Sequence, residues 1–359
     1  FNPSATGLIF NNSGYTLSSE DFQTITVSGA NAISIANGKT ATISGNLTVT
    51  SGTTASAITG GGTLVIENGG TVQNNGSTSS VVMRIMGTAG GGTGTTVDLK
   101  PGGILSNNLN NTAVFVSGAL LVNGGTLNLS FTTTGGTLGI GQDAADSAGT
   151  VTLNEGIINA PSTNGVRFGS NSSTATPGGT LNLNGGEITT RKLQKGTGTV
   201  ATSVVNFNGS VLRSFANDAT FMEGLSRANI RNGGAIIDST HSITIKQDLL
   251  HSDVSGDSAI DGGLTKRGAG TLTLTGANSY TGDTNLEGGT LSISDETKLG
   301  AAANKLNFNG GYLQVTGTAM TSLTRALTWG DAGGGFDITS ADNVFTLNQQ
   351  ITSGGGLLK

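Results

Sequence analysis

The chain repeats one short pattern, a glycine pair followed by a string in which apolar and polar residues alternate. Copies begin at Gly61, Gly124, Gly178 and Gly288, and each runs Gly-Gly-Thr-Leu before it diverges. Strict alternation over three to six residues predicts a short, half-buried β-strand, and glycine suits the turn before it because it adopts positive φ without steric cost. No segment has the periodicity of a helix of ten or more residues. The pattern therefore predicts an all-β fold.

The spacing of these strings selects an architecture. The block 138–154 returns at 166–184, and an offset of roughly 28 to 30 residues indicates a solenoid, a propeller or an array. A propeller needs longer blade repeats with aromatic signatures, and the chain has one Trp. We therefore predict that 1–359 form a single continuous parallel β-helix (β-solenoid) with coils of roughly 20–30 residues. Strands of successive coils then pair about 4.8 Å apart, and the crossover rule predicts right-handed winding.

Composition excludes several other classes of protein. The 60 glycines show no period of three and there are four prolines, which excludes collagen. Because cysteine is absent, the chain has neither disulfides nor thiolate metal sites. The net charge is −5 and the densest basic cluster is only Arg191, Lys192 and Lys195, so we expect no nucleic-acid partner. No apolar run approaches the roughly 18 residues of a membrane helix, so we expect no membrane span in this segment.

One stretch carries a longer motif. From Gly263 to Ile293 the chain reads GLTKRGAGTLTLTGANSYTGDTNLEGGTLSI. It resembles the autotransporter-associated β-strand repeat, also called the passenger-associated transport repeat, and we place one copy at 262–294. A second copy begins within 355–359. The positions that match the family pattern are Lys266, Gly268, Gly270, Thr271, Leu272, Leu274, Gly276, Asn278, Tyr280, Gly282, Thr284, Gly289, Thr290 and Leu291.

The resemblance implies an autotransporter passenger, that is, a bacterial surface or extracellular protein exported across the outer membrane as a right-handed β-helix. In that family the repeat is associated with passenger folding and export and carries no catalytic residues. Because Phe1 follows no leader and Lys359 falls inside a motif, we expect the segment to belong to a longer chain.

The residues of the motif also suggest positions in a coil. Alternation predicts inward side chains at Leu272, Leu274, Leu291 and Ile293. Glycine predicts tight corners at Gly268, Gly270, Gly276 and Gly282. We expect Tyr280 to cap a coil edge and Asn278 to lie in a stacked asparagine ladder.

Candidate chemistry is sparse. The weak metal or glycosidase candidates are Asp253, Asp257 and Asp261, which lie four residues apart near His251; we interpret them as solvated acids of a flexible loop. Asp143 and Asp146 lie in a similar loop, and Asp331, Asp337 and Asp342 are separated by turns. His241 and His251 lack neighbours at ligand spacing. Gly90–Gly94 lacks the rest of a phosphate loop, and the sequons at Asn46, Asn128 and Asn208 are those expected by chance. We expect no cofactor.

Three functions remain open. The first is a structural or adhesive cell-surface protein, a stiff β-helical rod that is not an enzyme. Its partners would be copies of itself, joined at the solenoid ends into a homo-oligomer or fibre, and a host-surface or polysaccharide ligand. The alternative is a β-helix polysaccharide lyase or hydrolase, or a tailspike-like carbohydrate-binding protein. The third is a passive spacer within a very large protein.

Overall fold

A computed structural model of the chain describes residues 4–18, 24–50, 56–74, 82–87, 94–107, 113–129, 137–142, 148–171, 174–349 and 357–358. Asp143, Asp146, the stretch 90–93 and most of the expected second repeat copy lie outside these described residues. The chain divides into two compact units, Phe1–Val204 and Val205–Lys359. Each is described by itself, and the single continuous solenoid over 1–359 stays a prediction.

The first unit is built from short β-strands. In chain order they are β1 (Ser4–Ala5), β2 (Leu8–Phe10), β3 (Tyr15–Ser18), β4 (Ile25–Val27), β5 (Ile33–Ile35), β6 (Thr40–Ser44), β7 (Asn46–Val49), β8 (Ser56–Thr59), β9 (Thr63–Ile66), β10 (Thr71–Asn74), β11 (Val82–Ile85), β12 (Thr96–Leu99), β13 (Ile104–Asn107), β14 (Ala113–Val116), β15 (Ala119–Leu129), β16 (Thr137–Ile140), β17 (Gly149–Ala160), β18 (Val166–Phe168), β19 (Thr176–Leu183), β20 (Glu187–Thr190), β21 (Leu193–Lys195) and β22 (Val200–Phe207), which runs through the unit boundary.

Each coil of this unit gives one strand to each of three parallel ladders. The first ladder contains β2, β5, β8, β11, β14, β16, β18 and β21. The second contains β3, β6, β9, β12, the first halves of β15 and β17, and β19. The third contains β1, β4, β7, β10, β13, the second halves of β15 and β17, and β20. The predicted all-β parallel β-solenoid is thus confirmed, and the hand of its winding stays a prediction.

The core of the first unit consists of apolar side chains stacked coil upon coil. On the third ladder Val72, Leu105, Leu127, Ile158 and Ile188 are paired in register, and all are fully buried. Successive members of this column follow at intervals of roughly 22 to 33 residues, a repeat length typical of solenoids. Because each strand alternates, the residues between these core positions point outward, which is the pattern that the Gly-Thr-Leu strings predict.

A column of amide side chains runs along one corner of the first unit. Asn123 Nδ2 donates to Asp98 Oδ1 at 2.7 Å, Asn154 Nδ2 to Asn123 Oδ1 at 2.8 Å, and Asn184 Nδ2 to Asn154 Oδ1 at 2.9 Å. Each amide is both donor and acceptor, so the three asparagines extend the column from the Asp98 carboxylate through successive coils without adding a charge.

The second unit is built from the same kind of coil. Its strands are β23 (Val211–Ser214), β24 (Asp218–Glu223), β25 (Arg227–Ile230), β26 (Ala235–Asp238), β27 (Ile243–Ile245), β28 (Leu249–His251), β29 (Leu264–Arg267), β30 (Thr271–Leu274), β31 (Thr284–Leu286), β32 (Thr290–Ile293), β33 (Leu306–Phe308), β34 (Tyr312–Val315), β35 (Leu327–Trp329), β36 (Gly334–Ile338) and β37 (Leu357–Leu358). A 3-10 helix at Glu296–Leu299 begins at an Asp295 N-cap. None of the described residues forms a helix long and apolar enough to cross a membrane.

The coils of the second unit lose one strand part of the way along. Numbered separately within this unit, the first ladder contains β24, β27, β30, β32, β34, β36 and β37, and the third contains β23, β26, β29, β31, β33 and β35. The second ladder pairs β25 with β28, and among the described residues beyond β28 its place is taken by segments without strands (275–283, 294–305 and 316–326), here named the irregular face. Thr265 pairs with Asn285, only 20 residues on, so the coil also becomes shorter.

Candidate functional site

The candidate site is the pair of stacked, successive coils that carries the long motif, which we name the repeat coil (residues 264–293). Strands β29, β30, β31 and β32 build it, and their alternation buries Leu272, Leu274, Leu291 and Ile293 in the core. Thr271 and Thr290 are half-buried on the other face of their strands. A Cβ atom on Gly270, Gly276 or Gly282 would lie 2.3, 2.6 or 2.3 Å from a carbonyl oxygen of the preceding coil. These glycines therefore allow the coils to stack closely.

Lys266 occupies an inward position in the middle of an apolar column. It pairs in register with Ile237 on one side and Leu286 on the other, and its side chain is fully buried. Its ammonium group donates to the carbonyl oxygens of Arg267 at 2.6 Å, Gly268 at 2.7 Å and Gly288 at 3.3 Å. Burial lowers the pKa of Lys266 to about 8, and the negative charge of Asp238 opposes this shift. The aliphatic part of the Lys266 side chain thus belongs to the core, and its ammonium group binds the carbonyl oxygens of the corner after β29.

That corner needs glycine at Gly268. Its φ is +74°, a conformation that L side chains rarely adopt. An added Cβ would also lie 2.5 Å from Asp238 Oδ1 and 2.6 Å from the Ser239 carbonyl oxygen. The turn at Gly268 directs the carbonyl groups of Arg267 and Gly268 toward the Lys266 ammonium group, which donates to both. This is why the motif contains both the lysine and the glycine.

Tyr280 lies inside the coil where the second ladder has no strand. Its side chain is fully buried, and its hydroxyl is 2.7 Å from Thr284 Oγ1. Burial raises the pKa of the hydroxyl well above its ordinary value. Gly300 of the next coil lies against the ring, since a Cβ there would be 2.8 Å from Tyr280 Cδ2. The expectation that Tyr280 caps a coil edge is wrong, because the ring fills the volume that a strand's side chains fill elsewhere.

Asparagine side chains replace strand pairing on the irregular face. Asn278 Oδ1 accepts from the Leu249 backbone N–H at 2.9 Å, and its Nδ2 donates to the Lys298 carbonyl at 2.7 Å. One coil further along, Asn304 Nδ2 donates to the Tyr280 carbonyl at 2.9 Å. Asn278 was expected in a ladder of stacked asparagines; it instead joins the backbones of the coils on either side of its own.

A buried arginine completes the irregular face. Arg325 is 4% exposed, and its Nη1 donates to the carbonyl oxygens of Leu299 at 3.0 Å and Asn304 at 3.2 Å. Its Nη2 donates to the Glu296 carbonyl at 3.1 Å. Burial lowers the pKa of Arg325, and the carboxylate of Glu296 opposes this shift. The guanidinium group therefore satisfies carbonyls that would otherwise pair with a strand.

Asp261 holds the junction at which the repeat coil begins. It is 5% exposed, and its Oδ1 accepts from the backbone N–H groups of Gly263 and Gly282, each at 2.9 Å. Its Oδ2 accepts from the Thr281 N–H at 2.8 Å and lies 2.9 Å from His251 Nδ1. One carboxylate thus ties together two successive corners.

The other two acids of this loop bind different partners. Asp257 accepts from Arg231 Nε at 2.8 Å and Nη2 at 2.9 Å, and the hydrogen bond from Arg231 lowers the pKa of Asp257. Asp253 lies 3.2 Å from Arg227 and its side chain is 66% exposed. The interpretation as solvated acids is therefore wrong for Asp257 and Asp261. Among the described residues no group of three or more His, Cys, Asp or Glu is placed to hold a metal ion.

The remaining candidates are dispersed. His241 Nδ1 is 3.2 Å from the Ser214 carbonyl oxygen. Asp337 accepts from Gln314 Nε2 at 2.7 Å, and Asp331 and Asp342 are exposed. Asn208 Oδ1 accepts from the Gly233 N–H at 2.8 Å.

Sequence reasoning missed Asn304 and Arg325. Both lie beyond the motif in segments without strand alternation, where a polar residue carries no sign that it is buried. The one available signal was the loss of alternation after Ile293, which marks a face that strands do not build.

Comparison with known proteins gives three findings. A family model described as a passenger-associated transport repeat matches residues 264–293. A curated protein described as "Adhesin BmaC autotransporter", from Brucella suis biovar 1 (strain 1330), is 43% identical over 89 residues, which cover 25% of this chain and 2% of that relative. The chain thus spans a very small share of the relative's length. No solved structure matches the chain.

Proposed function

We propose that the chain, which is similar to an autotransporter adhesin over part of its length and carries a passenger-associated transport repeat, is a segment of an adhesive bacterial surface protein. In this proposal the protein is exported across the outer membrane and acts outside the cell by contact. The observation that carries the proposal is the repeat coil, because the matched repeat here forms two stacked pairs of strands of a parallel β-solenoid.

We propose a non-enzymatic role. The carboxylates of Asp253, Asp257 and Asp261 bind Arg227, Arg231 and His251 respectively, so each has its own partner. A glycosidase needs two carboxylates that face one bond of the substrate. The name of the Brucella relative, an adhesin, favours binding over turnover. Self-association of the solenoid ends into fibres belongs to the same proposal.

The experiment has two parts: to locate the protein on intact cells of the bacterium that produces it, and to measure the adhesion of the purified segment to target cells. We expect externally added protease and antibody against this segment to reach the full-length protein without cell lysis. Beads coated with the purified segment should adhere to target cells more than beads coated with an unrelated protein of equal charge. A protein that protease reaches only after lysis, or beads that adhere no better than the control, would contradict the proposal.

Fibre formation needs its own measurement. Analytical ultracentrifugation of the purified segment should give species that grow with protein concentration. If the segment is a monomer at every concentration, the proposal of fibre formation is wrong, and the proposal of adhesion is not affected.

A further inference from the structure

The outer face of the first ladder in the first unit carries two arginines and a phenylalanine in one column. Arg84 of β11, Phe115 of β14, Gly139 of β16, Arg167 of β18 and Gln194 of β21 are paired in register, and we name them the arginine column. The residues on either side of Arg84, Phe115 and Arg167 in their strands are buried, so these three side chains point outward. The outward column of the third ladder differs, since its members are Gln73, Ser106, Asn128, Asn159 and Thr189.

Gln142 holds the guanidinium group of Arg167 in one orientation. Arg167 Nη2 donates to Gln142 Oε1 at 2.8 Å, and Gln142 Nε2 donates in turn to the Arg167 carbonyl at 3.2 Å. Gln142 is 6% exposed. Arg167 Nε is buried and has no hydrogen-bond partner among the described residues, and burial lowers the pKa of Arg167. A charge drawn partly out of water is costly, and a carboxylate from a ligand would offset that cost.

Outward arginines of the second unit each have a carboxylate beside them. Arg213 Nη1 donates to Asp238 Oδ2 at 2.5 Å, and Arg267 Nε donates to Glu287 Oε2 at 2.6 Å. The arginine column contains no acidic residue, and Arg167 forms no ion pair with any carboxylate of the described part of the chain. The fold thus neutralises the outward arginines of one unit and leaves the column of the other without an acid of its own.

Phe115 lies between the two arginines and is half-buried. A Cβ atom on Gly139 would lie 2.6 Å from Phe115 Cδ1, so the ring extends over this glycine on the side of Arg167. Arginine and aromatic side chains are enriched in the centres of protein–protein interfaces. The column therefore has the composition of a surface that binds another polypeptide.

The spacing of the column defines the pattern of a partner. Arg84 and Arg167 lie three strands apart, roughly 14 Å at about 4.8 Å per strand. An extended peptide directs residues i, i+2 and i+4 to one face, and its residues i and i+4 are about 13 Å apart. A peptide laid across the strands therefore brings one acid to each arginine and an apolar residue to Phe115.

We propose that the arginine column binds an extended acidic segment of a partner protein, with the pattern acid–x–apolar–x–acid, across β11, β14, β16 and β18. This inference deepens the proposed adhesive function, on which it rests, by naming the kind of partner. The guanidinium groups of Arg84 and Arg167 donate to the two carboxylates, and the apolar residue packs against Phe115.

The test titrates the purified 359-residue segment with a labelled peptide that repeats Glu-Ser-Leu-Ser, followed by fluorescence anisotropy. We expect binding that weakens as salt is added, because the charges that meet lie near the surface. Two control peptides should bind about tenfold more weakly, one with Gln in place of Glu and one with the same composition but adjacent glutamates. An oligouronate of equal charge should also bind more weakly, since it offers no apolar side chain to Phe115.

Variants of the segment locate the site. Arg167→Gln should weaken peptide binding about tenfold, the loss of one charge-assisted pair. Phe115→Thr should weaken it severalfold. The matched control is Arg213→Gln, an outward arginine that already has a carboxylate partner, and it should leave the dissociation constant within twofold. No binding of the Glu-Ser-Leu-Ser peptide, equal binding of its Gln counterpart, tighter binding of the oligouronate, or equal losses from Arg167→Gln and Arg213→Gln would overturn the inference.

Acids of the chain itself need a separate control. Asp143 and Asp146 follow Gln142 in the sequence and lie outside the described residues. Asp143→Asn combined with Asp146→Asn should change the dissociation constant of the peptide less than twofold. Peptide binding that occurs only in this double variant would mean that the chain's own acids occupy the column, and it would overturn the inference.

The bead assay separates failure of this inference from failure of adhesion. If beads coated with the Arg167→Gln segment adhere as well as beads coated with the parent, the column is not the adhesive surface, and the proposal of adhesion stands. Parent-coated beads that adhere no better than the control contradict adhesion even where the peptide binds. Adhesion that the Glu-Ser-Leu-Ser peptide blocks, and that Arg167→Gln weakens, supports both.

Discussion

Coils of the first unit and the repeat coil bury the same kind of core with different backbones. In the first unit Ala160 pairs with Thr190, 30 residues on, and each coil contributes to three ladders. In the repeat coil Thr265 pairs with Asn285, 20 residues on, and two ladders remain. Among the side chains that bond the backbone groups of neighbouring coils on the irregular face are those of Asn278, Asn304 and Arg325.

The difference teaches that a solenoid coil can lose a strand if side chains take over its hydrogen bonds. Buried backbone N–H and C=O groups must be satisfied by some partner. Strand pairing tolerates almost any outward residue, whereas the irregular face depends on particular side chains. We therefore expect substitutions to be more damaging in the repeat coil than at matched positions in the first unit.

The largest effect is expected from Tyr280→Ala. Removal of this buried ring should lower the free energy of unfolding of the second unit by about 3–5 kcal/mol, since it leaves a cavity that strands do not fill. Tyr280→Phe keeps the ring and should cost about 1 kcal/mol through the lost bond to Thr284. Hydrogen exchange resolved by segment measures both, because solenoids unfold in parts. Faster exchange in the first unit but not in 264–305 would contradict the assignment.

The next effect concerns pH. Since burial lowers the pKa of Lys266 to about 8 from 10.5, the unfolded chain holds this proton more tightly than the folded one between those values. The folded state should therefore gain up to about 3 kcal/mol as pH rises from about 8 to 10.5. We expect the stability of the parent, relative to Lys266→Met, to increase by that amount in denaturant titrations. A difference that stays constant over this range would show that the ammonium is not held as described.

A smaller effect is expected from Asn278→Ala. Loss of the side chain leaves the Leu249 N–H and the Lys298 carbonyl without this partner, at a cost of about 2 kcal/mol. The matched control is Asn159→Ala, a half-buried outward position of the first unit, which should change stability by less than about 0.5 kcal/mol. Urea titrations of both variants give the comparison, and equal costs would remove the distinction between the two kinds of coil.

The smallest effect is expected within the asparagine column of the first unit. Asn154→Ala interrupts two exposed amide bonds, and water can replace both. The expected cost is about 0.5 kcal/mol, within the range of surface substitutions. A cost above about 2 kcal/mol in the same urea titration would mean that side chains, and not strand pairing, hold this unit together as well.

Alternation and glycine spacing sufficed to predict strands, parallel stacking and the inward leucines of the repeat coil. They failed at Tyr280, Asp257 and Asp261, because burial of a polar residue depends on partners supplied by other coils. Asp261 is close to Gly282 only after the chain has completed a turn. Arg325 is further removed, since its acceptors lie 21 to 29 residues earlier in the chain.

The absence of one strand also changes how far the solenoid extends along its axis for each residue of the chain. Every coil advances the solenoid axis by about 4.8 Å, the spacing of neighbouring strands, whatever the length of its perimeter. The coil between Thr265 and Asn285, of 20 residues, therefore achieves the same axial advance as the coil between Ala160 and Thr190, of 30 residues. Each added coil of the shorter kind therefore lengthens the protein by the same distance with 20 residues instead of 30, and it preserves the register of both remaining ladders.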